Sequence, residues 1–482
     1  MPINSFLYPA KNVPVVYEVA NSIRFNGADS PALKRNSMGT ATNRKKWTLS
    51  MWVKRSTTDQ RMLASFDGAA SYFQFQSGGQ LEVNDVPGSS FNYRLVTNAV
   101  YRDVSAWLHI VVAYDSTQGT DSNRLKLYVN GEEPTLGTAT YPSQNFEPEV
   151  NSTGSHKYGS YDDSSSYAFN GYFAEIVFID GTQYAASDFG EFDSDSPRIW
   201  KPKDISGLTF GNNGHHLDFE DSSNLGNDAN GGTDFDENNI TATDQSTDTC
   251  TNNFATCNSL DNFSTGGTFS EGNLQTQSTT SNRGIFTGTI GLSSGVWYWE
   301  VKTSATGGNN ASDQWNYIGI AGQVGAASTD NILGSSGTNS RKSHEYALQA
   351  VNGSLYNNGA SAVTYGASFT EGDILGIKLD LDNNRLYFSK NGQWADGSGN
   401  FDESNPTGYI SISDPSTTES GFYFPAWGDG GVNVNKTWQL NFGGTQSFTV
   451  SSGNQDPNGY GNFEYDTKSG YAICTKNLAE FG

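Results

Sequence analysis

Four short constellations in this chain hold residue types able to do chemistry, and each also admits a plain structural reading. Gly291-Leu292-Ser293-Ser294-Gly295 matches G-x-S-x-G, but a nucleophile elbow stands between a strand and a helix, and the residues that follow read as another strand. In a chain this rich in Gly and Ser the match is a chance one. In His215-His216-Leu217-Asp218-Phe219-Glu220 a strand would bring His216, Asp218 and Glu220 to one face, where they could chelate a divalent ion; the alternative is a solvated face opposite Leu217 and Phe219. Asp234, Asp236 and Glu237 gather the hard oxygens that calcium prefers, or form a solvated acidic loop. Trp394 in NGQWADG, and Trp427 with Asp429 in PAWGDGG, lie in glycine-rich stretches that read as loops. An exposed Trp there would stack on a sugar face or a peptide side chain, with carboxylate and amide neighbours meeting hydroxyls; otherwise it lids a core. P-loop, H-E-x-x-H and C-x-x-C patterns are absent from the sequence.

The elements that must position these residues are β-strands. Asn123–Gly131 (NRLKLYVNG) and Asn384–Gly392 (NRLYFSKNG) share five of nine residues. Each runs from alternating apolar positions into Asn-Gly, the dipeptide that best accommodates positive φ at both centres of a type I′ turn. Strand-like WLHIVVAY (107–114) and ILGIKLDL (374–381) precede them. Apolar/polar alternation of this kind belongs to antiparallel sheets with one wet face.

Composition agrees. Of 482 residues, 35% are hydrophobic and 16% charged, with 54 Gly and 13% aromatics, a balance that suits sandwiches with many tight turns. Helix is expected to be scarce, confined to a turn such as 185–189. The net charge of −23 disfavours nucleic acid and anionic membranes as ligands. The charge is uneven, since no Lys or Arg occurs between Asp204 and Asn282. Cys250, Cys257 and Cys474 are too few for a disulfide framework; a Cys250–Cys257 bridge is conceivable, and free thiols are the simpler expectation. The N-terminus lacks the basic and continuous apolar regions of a signal peptide, and no window approaches the ~18 apolar residues of a membrane helix.

The expected organisation is an extended arm over 1–20, a first sandwich over 21–221, an acidic connector over 222–262, a second sandwich over 263–448 and a tail over 449–482. The arm carries Phe6, Leu7 and Tyr8, too apolar to be left in water, so it should dock on its own domain or on a neighbouring subunit.

These blocks resemble known families. WTLSMWVKR (47–55), WLHIVVAYD (107–115), LKLYVNGE (125–132) and FNGYFAEIVFIDG (169–181) occur in the order usual for laminin-G-like, concanavalin A-like sandwiches. GVWYWEVK (295–302), YIGIAG (317–322), GDILGIKLDLDNNRLYFSKNG (372–392) and FYFPAW (422–427) look like a SPRY domain. With the opening MPINSFLYPAKNV, the stretch TDTCTNNFATCNSLDN and the closing GYAICTKNL, the whole is similar to structural proteins of tailed bacteriophages, marine ones in particular.

The resemblance implies an all-β chain of two tandem antiparallel sandwiches in a virion protein, a tail fibre or capsid-surface decoration, made in the host cytoplasm. Its implied partners are other virion proteins through the arm, a host-surface glycan or protein, and further copies of itself, a trimer being usual for fibres. In SPRY domains, loops at one edge make the ligand contacts, which points to Trp394, Trp427 and Asp429. Some concanavalin-like relatives are glycanases, whose paired carboxylates lie close together on one strand. The corresponding strand here offers Glu175 with Asp180 as its nearest acid, and a lone Glu suits a strand-edge hydrogen bond better. No catalytic residue, resident metal or other cofactor is therefore expected. A purely architectural subunit and a glycan hydrolase are the competing readings.

Overall fold

A computed structural model describes residues 17–161, 167–261, 267–278, 284–306, 316–324, 333–334, 344–357, 362–430 and 435–482. Phe6, Leu7 and Tyr8 lie outside the described residues. The described chain is almost entirely antiparallel β-structure in two sandwiches.

In the first sandwich a seven-stranded sheet runs in the order Gln245–Ser246, Ser22–Phe25, Gly171–Asp180, Lys46–Arg55, Trp107–Asp115, Leu125–Val129, with His215–Leu217 also paired to Gly171–Asp180. It faces an eight-stranded sheet whose edges are Leu136–Thr140 and Asp236–Asn238. Alternate residues such as Trp47, Leu49, Met51 and Val53 enter the shared core, as the period of two requires. The second sandwich packs a nine-stranded sheet centred on Asn435–Asn441, Val296–Thr306, Ile374–Asp380 and Arg385–Lys390 against a six-stranded one that contains Phe424–Asp429 and Asn316–Ala321. Trp297, Trp299, Trp427 and Trp438 fill its core.

Both repeated stretches form the expected hairpins, with φ of 49° and 82° at Asn130 and Gly131 and of 50° and 81° at Asn391 and Gly392. Asn is chosen for its side chain as well as its backbone. Asn130 takes the His109 N–H on Oδ1 (2.8 Å) while its own N–H reaches His109 O (2.8 Å). Asn391 does the same with Ile374 (2.9 and 2.8 Å). In each hairpin a later aromatic ring lies against the glycine: a Cβ on Gly131 would fall 2.4 Å from the Trp200 ring, and one on Gly392 2.7 Å from Tyr465.

The interval 222–262 was expected to be an extended connector and is instead built into both domains. Asp236–Asn238 and Gln245–Ser246 extend the two sheets of the first sandwich, and Leu225, Phe235 and Ile240 join its core. Ala255 and Cys257 belong to the second core. Two acids of this interval, Asp244 and Asp248, find their cations elsewhere in the fold. Asp248 meets Lys54 at 2.7 Å with both side chains 1% exposed, and Arg24 contacts Asp244 (3.0 Å) and Glu271 (3.1 Å). Burial of such a pair is tolerable only when its remaining polar atoms are bonded. Accordingly, Lys54 Nζ also donates to Asn253 Oδ1 and Phe254 O, and Trp107 Nε1 donates to the second Asp248 oxygen. Tyr172 to Gly272 O and Asn273 to Ser56 O, both 2.8 Å, complete the seam between sandwiches. All three cysteines are free thiols.

The tail is not peripheral either. It packs Phe463, Ala472 and Cys474 on Tyr298, Tyr387 and Trp394 on the outer face of the nine-stranded sheet, and ends in the helix Thr475–Phe481, which the reading of a helix-poor chain did not place.

Candidate functional site

The SPRY-edge residues are not in loops. Trp394 pairs with Ser389 in the strand Gln393–Ala395 and is 1% exposed beneath Tyr298 and the tail. Trp427 is 0% exposed in Phe424–Asp429, where Nε1 donates to Thr276 Oγ1 (2.7 Å). Asp429 is buried and accepts from Ser278 Oγ (3.0 Å). The glycine in PAWGDGG that suggested a loop serves a close strand approach, since a Cβ on Gly428 would lie 2.4 Å from Gly284 O. The assignment of these three residues to ligand contact is thus corrected. The Trp427 indole N–H and the Asp429 carboxylate are turned into the fold.

The acidic candidates also spend their oxygens internally. Asp234 accepts from Asn224 and from the Asp228 N–H, Asp236 from Asn36 and Glu237 from the Gly226 N–H. His216, Asp218 and Glu220 do not share a strand face, because the strand ends at Leu217 and Phe219 takes φ 62°. Among the described residues no group of three His, Cys, Asp or Glu side chains is placed to hold a metal ion. Asp180 is a buried clamp for the Thr42, Asn43 and Asn213 N–H groups and the Asn151 amide. Ser293 precedes a strand, not a helix.

What the fold does bring together surrounds the first Asn-Gly turn. On the outer face of the seven-stranded sheet, Trp52, His109 and Trp200 form a row of stacked rings, with centroids 4.6 and 6.0 Å apart and interplanar angles of 26° and 24°. Trp200 Nε1 donates to His109 Nδ1 (2.9 Å), so the ring proton sits on Nε2 and points to Ser50 Oγ (2.8 Å). Burial pushes His109 down to about 3, which keeps it a neutral spacer. Trp200 fits only because Gly131 and Gly190 leave room: a Cβ at either would come within 2.6 Å of the indole. Phe192, across the two-stranded ribbon, meets Trp200 edge-on at 4.9 Å.

Trp200 and Phe192 open onto a cleft of about 680 Å³, walled also by Tyr101 and Trp107 and rimmed by Glu132, Glu133 and Arg198. Phe192 is 43% exposed. The exposed lining combines these aromatic rings with a larger share of polar surface, and the volume falls within the range usual for small-ligand sites. The exposed Phe192 ring can stack on the C–H face of a sugar ring, and the rim carboxylates can accept from its hydroxyls. Neither Phe192 nor Trp200 was singled out from the sequence. The available signal was Trp200 standing apart from any strand-like run.

Comparison with known proteins agrees with this architecture. Residues 26–186 match the concanavalin A-like lectin/glucanases superfamily and residues 296–408 match the SPRY domain. The chain carries a concanavalin A-like domain and a SPRY domain in tandem. Folds of these two kinds are generally non-catalytic binding modules. Curated proteins yield no match. Among solved structures, the SPRY domain of human HERC1 is similar over 38% of this chain and 94% of its own, at 16% identity and a TM-score of 0.26. The heptameric SAP-like pentraxin of Limulus polyphemus is similar over 35% and 80%, at 14% identity and 0.27. A candidate carbohydrate binding protein from Bacteroides ovatus ATCC 8483 is similar over 47% and 60%, at 16% identity and 0.33.

Proposed function

We propose that this protein is a non-enzymatic virion component of a tailed bacteriophage, a fibre or capsid-surface decoration, whose concanavalin A-like domain binds a host-surface glycan in the Trp107–Trp200 cleft. The observation that carries the recognition half is the cleft itself: four aromatic side chains line an open groove with carboxylates at its rim. The virion half draws its support from the resemblance of MPINSFLYPAKNV and GYAICTKNL to phage structural proteins. In this reading the arm over 1–20 joins the chain to other virion proteins, and several copies assemble together. The SPRY domain acts as scaffold, because its candidate tryptophans are buried. Glycan hydrolysis has no support in the geometry, since Glu175 and Asp180 are committed to separate internal hydrogen-bond sets.

A purely architectural role is favoured by one observation, the buried Lys54–Asp248 seam that joins the two domains. Binding of the full chain to an array of bacterial surface polysaccharides separates the two readings. The recognition reading expects binding that Phe192→Ser weakens about tenfold, a loss of one aromatic contact. Absence of binding to every polysaccharide would leave the architectural role.

A further inference from the structure

The strand Gly171–Asp180 is broken in phase. Phe173, Ile176 and Phe178 all enter the core, a spacing of three and then two. The extra residue is accommodated by a bulge: Ala174 pairs with Trp52, and the next pair is Val177 with Ser50. Glu175 sits in that bulge at φ 49°, a left-handed conformation that costs a non-glycine residue about 1–2 kcal/mol. Bulges re-aim side chains, and strain of this kind gathers at functional sites. Here the bulge turns Glu175 out of the core and under two donors, Tyr17 OH (3.1 Å) and His216 Nε2 (3.0 Å). Burial works against a charge on His216, but the hydrogen bond and charge of Glu175 outweigh it and hold the imidazole above its ordinary value.

His216 and Tyr17 line a pocket of about 300 Å³ together with Asp204, Leu208, Phe210 and Asn230. His216 and Asn230 both line the pocket, and no hydrogen bond to His216 Nδ1 or to the exposed Asn230 side-chain amide is found among the described residues. Leu208 and Phe210 offer an apolar strip. The charges limit what fits. Glu175, Asp204, Asp218 and Asp228 surround one imidazole, so an anion is repelled by the carboxylates, while a cation would have to approach an imidazole that shares its proton with Glu175. A neutral ring with one C–H face for Phe210 and Leu208 and hydroxyls for His216, Asn230 and Asp204 satisfies both limits.

We propose that this pocket is a second ligand site on the concanavalin A-like domain, taking a single uncharged pyranose ring, held by His216 Nδ1, Asn230 and Asp204 over Phe210. Glu175 is its positioning residue, fixing His216 with Nδ1 turned to the pocket. The site shares no lining residue with the Trp107–Trp200 cleft.

Saturation-transfer NMR on the full chain with free D-galactose, D-glucose, D-mannose and N-acetyl-D-glucosamine as probes tests it. With the cleft disabled by Phe192→Ser, transfer to at least one of these sugars is expected to persist, and adding Asn230→Ala, an exposed position outside both cores, is expected to reduce that remaining affinity about tenfold or more. No transfer to any of the four sugars in the Phe192→Ser protein, or transfer there that Asn230→Ala leaves intact, would overturn the pocket. Transfer lost in Phe192→Ser but kept in Asn230→Ala would place the sugar in the cleft, and likewise overturn it.

Discussion

Asn130 and Asn391 show how one residue type carries two demands at once. Each adopts φ near 50° and each supplies a side-chain acceptor to the N–H of the facing strand residue. Alanine at either position forfeits both, at about 1–2 kcal/mol for the left-handed backbone and about 1 kcal/mol for the hydrogen bond. Asn130→Ala and Asn391→Ala should each lower the unfolding free energy by roughly 2–3 kcal/mol in urea titrations; a loss below about 0.5 kcal/mol at both would contradict this account of the turns. These residues were legible because Asn-Gly acts through its own backbone. Trp427 was misread for the opposite reason. Its neighbouring glycine answers to the carbonyl of Gly284, more than a hundred positions away, and a local reading of PAWGDGG cannot contain that partner. Glu175 stood in between: the uneven spacing of Phe173, Ile176 and Phe178 was visible, but its meaning required knowing that all three face one core.

At the scale of elements, both Asn-Gly hairpins were foreseeable from alternation, and so were the long central strands such as Trp107–Asp115 and Ile374–Asp380. Short edge strands such as Asp236–Asn238 were not, because two or three polar residues carry no periodic signal and are held by the neighbour they pair with. The tail is the clearest case. Its attachment runs through Glu300, which is 0% exposed and accepts from the Glu464 and Tyr465 N–H groups, Tyr298 OH and the Asn441 amide. Burial pushes Glu300 up to about 7 against those four hydrogen bonds, which favour the carboxylate. Since its folded value stands above the ordinary 4.5, the native state keeps a proton that the unfolded chain gives up. The stability it contributes is whole below about 4.5 and is lost as pH rises through about 7. Amide exchange in residues 462–473, corrected for intrinsic rates, should therefore be faster at pH 8 than at pH 6. Glu300→Gln should abolish that difference, and an undiminished pH dependence in the variant would contradict the latch.

For the whole molecule, the interval 222–262 reads from sequence as an extended connector because it is acidic and has few large apolar residues. Asp248, Asp244 and Glu271 are met by Lys54 and Arg24 of the first sandwich, so an excess that is local along the chain is partly neutralised in space. The same long-range assembly builds the cleft, where an Asn-Gly turn, a two-stranded ribbon and Trp107 come from three separate parts of the chain. In the function proposed above, this cleft of the concanavalin A-like domain is where the protein meets a glycan. Hydrogen–deuterium exchange of the full chain, with and without a polysaccharide selected on the array, tests this most directly. Protection is predicted in peptides covering 128–134 and 190–200, with the SPRY domain unchanged. Protection confined to the SPRY domain would contradict it.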